Sequence, residues 1–425
     1  MTSGGGGPPQ TRAPRTGRRQ FSRSFNLLWA ATALSNIGDG VRYAALPLLA
    51  TTVTNDPRAI AGIIIAERVP WLLLILPGGA WADRLDRRNL RMRLDAARAV
   101  VMAALMVVVA IDQVSVWAIG AVAVLLASAE AVVDSSSMAL VPATVDEGDL
   151  ERAGGRLAST ELIANALIGP PLGGLLFGLA MVVPFGVDAA SFAGAALIMS
   201  LLPGTFRSSN EGEQAAPMRR QIAEGFRWFW SRRPLRNLAL VSTALGFADF
   251  VGASVFVLFA TDTLGLSPAG YGLLLTPVAL GGVTGSLLAP RLRAYPLGLV
   301  LSVAVLISGA ATLATSRQSE PVLVAALGAA AAGGSLVWNT LTIALRQRIV
   351  PDHLLGRVGA SYRFLVFLGM PFGALAGGLL AKSFGLRAAL AVNGSMLLAV
   401  GIAIPFLLRG IGSSSHASRA DDQPR

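Results

Sequence analysis

The sequence predicts an all-α membrane protein whose chain crosses a bilayer twelve times with both termini cytoplasmic. Three observations predict it. Only 14% of the 425 residues are charged against 53% apolar, about half the charged fraction a soluble surface needs. The charge is also segregated: Leu72–Ala82, Val100–Ile111 and Leu397–Leu408 hold none, whereas Arg84–Arg93 holds six in ten residues. A low-dielectric slab imposes that pattern, because an unpaired charge at its centre costs several kcal/mol. Finally, apolar runs of the length that 30 Å of hydrocarbon demands recur along the whole chain.

With that ruler the spans fall near 25–50, 59–82, 94–111, 114–134, 157–180 and 182–203, then 237–260, 269–290, 296–315, 321–345, 361–382 and 386–408. The domain reading follows: a polar, Gly/Pro-rich cytoplasmic tail over 1–24, a six-helix bundle over 25–203, and a cytoplasmic connector over 204–236. A second six-helix bundle covers 237–408, and a polar tail 409–425. The N-terminal segment lacks the apolar core and small-residue cleavage site of a signal peptide and reads as disordered.

The formal charge of +11 would suit a nucleic-acid partner, but its distribution argues for the positive-inside rule instead. With a cytoplasmic N-terminus, 27 of the 35 Lys and Arg residues lie on cytoplasmic segments. Arg58, Arg317, Lys382 and Arg387 lie on the other side, and Arg42, Arg68, Arg98 and Arg363 fall within spans. No nucleic acid is expected as a partner. With no cysteine and histidine only at 353 and 416, neither a metal site nor nucleophile–base chemistry is expected, so the chain does not read as an enzyme. No G-x-x-x-x-G-K-[ST] stretch is present for nucleotide, and no cofactor is expected.

The two halves resemble one another. Gly169, Gly173, Gly174 and Leu175 recur as Gly373, Gly377, Gly378 and Leu379 at a constant offset of 204. Span 1 has Asp39 after Thr32-Ala33-Leu34, and span 7 has Asp249 after Thr243-Ala244-Leu245. Paired bundles of this kind enclose a central cavity in many transporters.

Span 2 ends in Gly79, Asp83, Arg84, Arg87 and Arg88, spaced G-x-x-x-D-R-x-x-R-R, which resembles the loop signature of the major facilitator superfamily. The resemblance implies a conformational role for this loop, in which the acid faces a helix N-terminus and the arginines anchor to phosphate. In the second half Arg291 remains but Pro290 replaces the acid. Gly169-Pro170-Pro171-Leu172-Gly173-Gly174 resembles the helix motif of the superfamily's proton-coupled drug antiporters, with Asn165 where that motif has an earlier glycine. Structurally it is a bent, closely packing helix, with or without a bearing on transport direction. Gly38-Asp39-Gly40 with Ala45-Leu46-Pro47-Leu48 is similar to the first helix of the branch containing enterobactin and macrolide exporters. So is the stretch from Arg346 through Pro351 and Gly356-Arg357-Val358 to Gly373.

What the resemblance implies, across 25–408, is a proton-driven secondary exporter of a drug-like or secondary-metabolite molecule, monomeric and surrounded by lipid. A proton-coupled importer and a non-transporting sensor are the alternatives. Thirty-four arginines to one lysine suggest a GC-rich bacterium and hence its plasma membrane.

The charges within spans are the candidate coupling residues. Asp39 and Arg42, about 21 and 25 Å into span 1, share a helix face and can pair. Glu67 and Arg68, about 12–14 Å below the outer surface in span 2, lie at similar depth, so the four could neutralise one another, as a fixed structural cluster or as a protonation switch. Asp39, then Glu67, then Asp249 are the protonation candidates. Asp249 has no sequence-local partner, unless it caps a helix break beside Gly246 and Gly252. Asp95 and Arg98 are expected in the salt-bridge network of the signature loop. Glu130 and Asp134 approach the inner end of span 4, where the resembling antiporters carry an arginine and this chain has none. Trp71, Trp338, Phe256, Phe364 and Phe367 would line a cavity or face lipid.

Overall fold

A computed structural model describes residues 21–74, 85–204, 206, 218–351 and 354–408, and every element among them is helical. Local sequence explains most boundaries. Ser22 caps α1 (Arg23–Val53) by accepting a hydrogen bond from the Phe25 amide at 3.0 Å. Asp56 then starts α2 (Pro57–Leu74), its carboxylate accepting from the Arg58 amide at 3.0 Å. Asp86 caps α3 (Arg87–Ala110) and Ser115 caps α4 (Val116–Leu140). The third span therefore begins seven residues before the apolar run does, because a helix needs a cap and not only apolar residues to start.

The helix α5 (Leu150–Leu179) contains a π segment over Leu162–Ile168 just before Gly169-Pro170, where proline removes a backbone donor. After α6 (Val183–Ser200), the connector read as merely polar holds an amphipathic helix, α7 (Met218–Ser231), that packs on α12. The second half comprises α8 (Arg233–Leu258, continuing as a π segment to Thr263), α9 (Pro268–Leu292), α10 (Leu297–Thr315), α11 (Pro321–Ile349), α12 (Leu355–Phe384) and α13 (Leu386–Leu407). Gly385, at φ +87°, makes the one-residue break between the last two.

Nine of these helices, α4–α6 and α8–α13, are long and apolar enough to cross a membrane. Of the other four, as far as the described residues run, α7 is a short amphipathic helix and α1 to α3 carry Asp39, Arg42, Glu67, Arg68, Asp95 and Arg98.

Five pairings in the first half (α1 with α5 and α6, α3 with α4 and α6, α2 with α4) recur in the second as α8 with α12 and α13, α10 with α11 and α13, and α9 with α11. The halves meet where α2 lies on α12 and α5 on α9. The repeated glycines explain both kinds of contact. Gly173 sits against the Val41 carbonyl of α1 and Gly377 against the Val251 carbonyl of α8, each two residues past the matching acids Asp39 and Asp249. Gly174 and Gly378, one residue on, turn to the opposite half: Gly174 meets Pro268 and Gly272, and Gly378 meets Pro57, Arg58 and Ala61. One glycine of each pair builds a half and the next joins the halves, because only a missing side chain allows backbones so close.

Both joints lie at the end bearing the α1–α2 turn. There Lys382, the chain's single lysine, reaches Asp56 at 3.5 Å across the junction. Hydrogen bonds from Arg58 hold the Asp56 carboxyl well below the usual carboxylate range, so the pair stays ionised in mildly acidic medium.

Gly373→Ala would drive a methyl into the Phe247 carbonyl and is expected to cost about 1–3 kcal/mol. The readout is the thermal unfolding temperature in detergent. Gly62→Ala, whose new methyl meets nothing within 4 Å, should leave that temperature unchanged or slightly higher.

Candidate functional site

Between the halves lies a cavity of about 500 Å³. Its first-half wall carries Arg42, Tyr43, Glu67 and Arg68, and its second-half wall Asp249, Phe250, Phe256, Tyr271, Ser308 and Asn393. Most of the remaining lining is aliphatic, the mixture that holds a sizeable organic molecule by apolar contact and orients it by a few polar groups. A smaller chamber of about 200 Å³ is lined by Asp39, Glu130, Trp71 and Asn165, and shares Arg42, Tyr43, Glu67 and Arg68 with the larger one.

Behind the chamber is a buried chain of ion pairs. One Asp39 oxygen, Oδ1, accepts from Arg42 Nη2 at 2.7 Å and from Arg98 Nη2 at 2.6 Å. The same Arg42 nitrogen lies 3.4 Å from Glu130 Oε2, and Arg42 Nε lies 3.5 Å from Asp188 Oδ2. Arg98 continues to Asp95 at 3.5 Å, and Asp95 to Arg91 at 3.6 Å, while Arg91 donates to Ser137 Oγ at 2.6 Å. The Arg98 guanidinium also stacks 3.8 Å from the centre of the Phe192 ring.

The tripeptide Gly38-Asp39-Gly40 accounts for this arrangement. A side chain at 38 would collide with Asp188 and Ser191 of α6, and one at 40 with Ala164 and Asn165 in the π segment of α5. The two glycines thus admit α6 and α5 on either side of Asp39. Buried ions survive only when paired this closely, since each alone carries a desolvation penalty of several kcal/mol.

Several sequence expectations are revised by this geometry. Asp39 and Arg42 do pair, but among the described residues neither Glu67 nor Arg68 forms an ion pair with them. The partners come instead from α3, α4 and α6. Glu67 and Arg68 line both chambers, and Arg68 reaches across to Phe250, its guanidinium 5.3 Å from the ring centre. Arg98 pairs with Asp39 as well as with Asp95. Arg88 donates to the carbonyls of Met199, Ser200 and Gly204 at the end of α6. The backbone amide of Arg87 donates to Phe206. Gly79, Asp83 and Arg84 lie outside the described residues.

Asp249 lies in an unbroken stretch of α8, so it caps no helix break. It is exposed on the cavity wall and has no ion pair or hydrogen bond among the described residues. Of the aromatic candidates, Phe256 lines the cavity and Trp71 the smaller chamber, in edge contact with Phe367. Trp338 is buried in the second-half core.

Asp188 and Glu130 escaped the sequence reading as partners of Arg42. Asp188 is the lone acid in an otherwise uncharged span, and that isolation was the available signal. The guanidiniums beside Glu130 come from α1 and α3, which is why the search within span 4 found none.

Two halves built to one plan around a largely apolar cavity with a few charged groups on its wall define a membrane transporter of the major facilitator class. The chain belongs to the transmembrane secretion effector family, whose model matches residues 20–423. It is 27% identical over 408 residues to the multidrug efflux pump Tap of Mycolicibacterium fortuitum, covering 90% of this chain and 95% of that one. It is likewise 27% identical to Tap of Mycobacterium tuberculosis, at 85% and 88% coverage. An uncharacterised transporter of the same superfamily, YfiS of Bacillus subtilis, is 24% identical at 88% and 91% coverage. Among solved structures, a bacterial homologue of ferroportin in an inward-facing state superposes with a TM-score of 0.73 at 17% identity, covering 92% of this chain and all of that one. An inward-facing, unoccupied bacterial homologue of Spinster gives 0.70 at 15% identity, covering 94% and 98%.

Arg42→Ala would strand the enclosed Asp188 carboxylate, take the ion pair from Glu130 and leave Asp39 to Arg98 alone, and is expected to cost about 3–5 kcal/mol. Arg68→Ala removes a guanidinium that has no ion pair among the described residues, and should cost well under half as much. Thermal unfolding of the two variants side by side provides the comparison.

Proposed function

We propose that the protein is a secondary active exporter of a drug-like or secondary-metabolite organic molecule, driven by proton antiport through alternating access. In this reading all twelve long helices span the plasma membrane as two six-helix bundles, 25–203 and 237–408, with both termini cytoplasmic. The nine apolar helices and the arginine distribution support that topology. The chain acts as a monomer within lipid.

One observation carries the reading: Arg42, Tyr43, Glu67 and Arg68 form a wall common to the organic-sized cavity and to the chamber that opens on Asp39 and Glu130. A molecule entering the cavity therefore presses on the charge network itself. Substrate and proton can each change the state the other meets, which is what coupling requires. The efflux pumps among its relatives favour outward transport. With the joints Gly174–Gly272 and Gly378–Ala61 at the outer end, the cavity belongs to an inward-facing state, and the Asp56–Lys382 pair must part before it opens outward. Asp39 is the leading coupling residue, followed by Glu67 and Asp249. The role of the Gly79–Arg88 signature and of Asp95 is to brace the alternate state.

Uptake of a panel of lipophilic drugs into everted vesicles tests the proposal. Acidifying the vesicle lumen should drive accumulation, and Asp39→Asn should abolish the response to the gradient. Normal, gradient-dependent transport by Asp39→Asn would remove Asp39 from the mechanism, and gradient-driven movement in the opposite direction would make the protein an importer.

A further inference from the structure

The ion-paired network behind the small chamber does not balance. Its members within 4.0 Å contact are the carboxylates of Asp39, Asp95, Glu130 and Asp188 and the guanidiniums of Arg42, Arg91 and Arg98. Among the described residues, four negative groups face three positive ones. The neighbours do not restore the balance: Glu67 and Arg68 on α2 offset each other, and Asp134 on α4 and Glu161 on α5 add further acid. A net charge enclosed this deeply is costly, and one bound proton removes it.

Among the four carboxylates, access and hold single out one. The side chains of Asp95 and Asp188 are fully enclosed, and that of Asp39 is 10% accessible, with one oxygen gripped by two guanidiniums at 2.6 and 2.7 Å. The Glu130 side chain is 27% accessible, faces the small chamber, and has a single long contact of 3.4 Å. That contact is to Arg42 Nη2, the same nitrogen that Asp39 uses.

We infer that the exchangeable proton resides on Glu130 rather than on Asp39, and that Asp39 takes part in coupling by competing with Glu130 for one guanidinium nitrogen of Arg42. When Glu130 is ionised it draws Arg42 towards α4 and ties α4 to α1. A proton arriving from the chamber binds a Glu130 carboxylate oxygen and leaves Arg42 to Asp39, so that α1 and α4 are released from one another. The inference deepens the proton-antiport reading and rests on it for its role in transport. The proton site itself does not depend on what is transported.

Infrared titration of the purified full-length protein, unlabelled and with carboxyl-labelled glutamate, tests the site without any substrate. A protonated-carboxyl band that moves with the label should be present and should titrate in the wild type. It should persist in Glu67→Gln and be lost in Glu130→Gln. In Glu130→Asp the band should return but no longer move with labelled glutamate, which separates a lost proton site from a misfolded variant. A label-sensitive band that survives in Glu130→Gln, or no such band in the wild type, overturns the inference.

The vesicle assay separates its failure from that of the antiport reading. If wild-type transport follows the pH gradient and Glu130→Gln behaves identically, Glu130 is not the coupling residue while antiport stands. If the Glu130 band titrates but wild-type transport ignores the gradient, antiport fails and with it the coupling role.

Discussion

The enclosed ion pairs of the first half are organised around one oxygen. Asp39 Oδ1 accepts from two arginines on two different helices, and each arginine brings further carboxylates with it. In water such a network would be a weak, shifting cloud; away from water it must close on itself, because every member left unpaired would be prohibitively costly. That requirement dictates which helices touch: α3, α4 and α6 each supply an ion to α1, and the glycines on either side of Asp39 let α5 and α6 come near enough. The charge network and the packing of the bundle are the same fact seen from two directions.

Among the described residues the second half has no such centre. Its counterpart to Asp39, the carboxylate of Asp249, stands on the cavity wall without an ion pair or hydrogen bond among the described residues, and the core behind it is aliphatic and aromatic. Two halves with the same helix pairings thus have different interiors. One holds a buried store of charge next to the cavity, and the other offers a largely apolar face with a single acid. In the proposed antiport, the first wall would sense protons and the second accommodate a greasy molecule.

Much of the fold was legible because its causes are local. Hydropathy marks α4 to α6 and α8 to α13, whereas the starts fixed by Ser22, Asp56, Asp86 and Ser115 depend on single capping residues that an apolar ruler does not register. The offset of 204 between glycine sets was visible too, although only the structure shows that Gly173 and Gly377 build the halves while Gly174 and Gly378 join them. What stayed hidden depends on contacts between distant segments. Neither Asp188 nor Glu130 has a partner nearby in sequence; both depend on how α4 and α6 turn towards Arg42. The connector helix α7 was missed for a different reason: its apolar face is only one stripe wide, so a polarity average over the segment conceals it.

The joints between halves have a consequence for how such a protein can change over generations. Gly174 rests on Gly272 and Gly378 on Pro57 and Arg58, so these junctions are made chiefly by main chain and missing side chains. They place no demand on the residues lining the cavity. Ile64, Thr312 and Ser335, half-buried on the cavity wall and outside the packed cores, can therefore be exchanged for larger or smaller side chains without disturbing the surfaces that meet. Natural selection is thereby given a scaffold on which the shape of the chamber can drift, step by step, toward new molecules while the moving parts stay as they are.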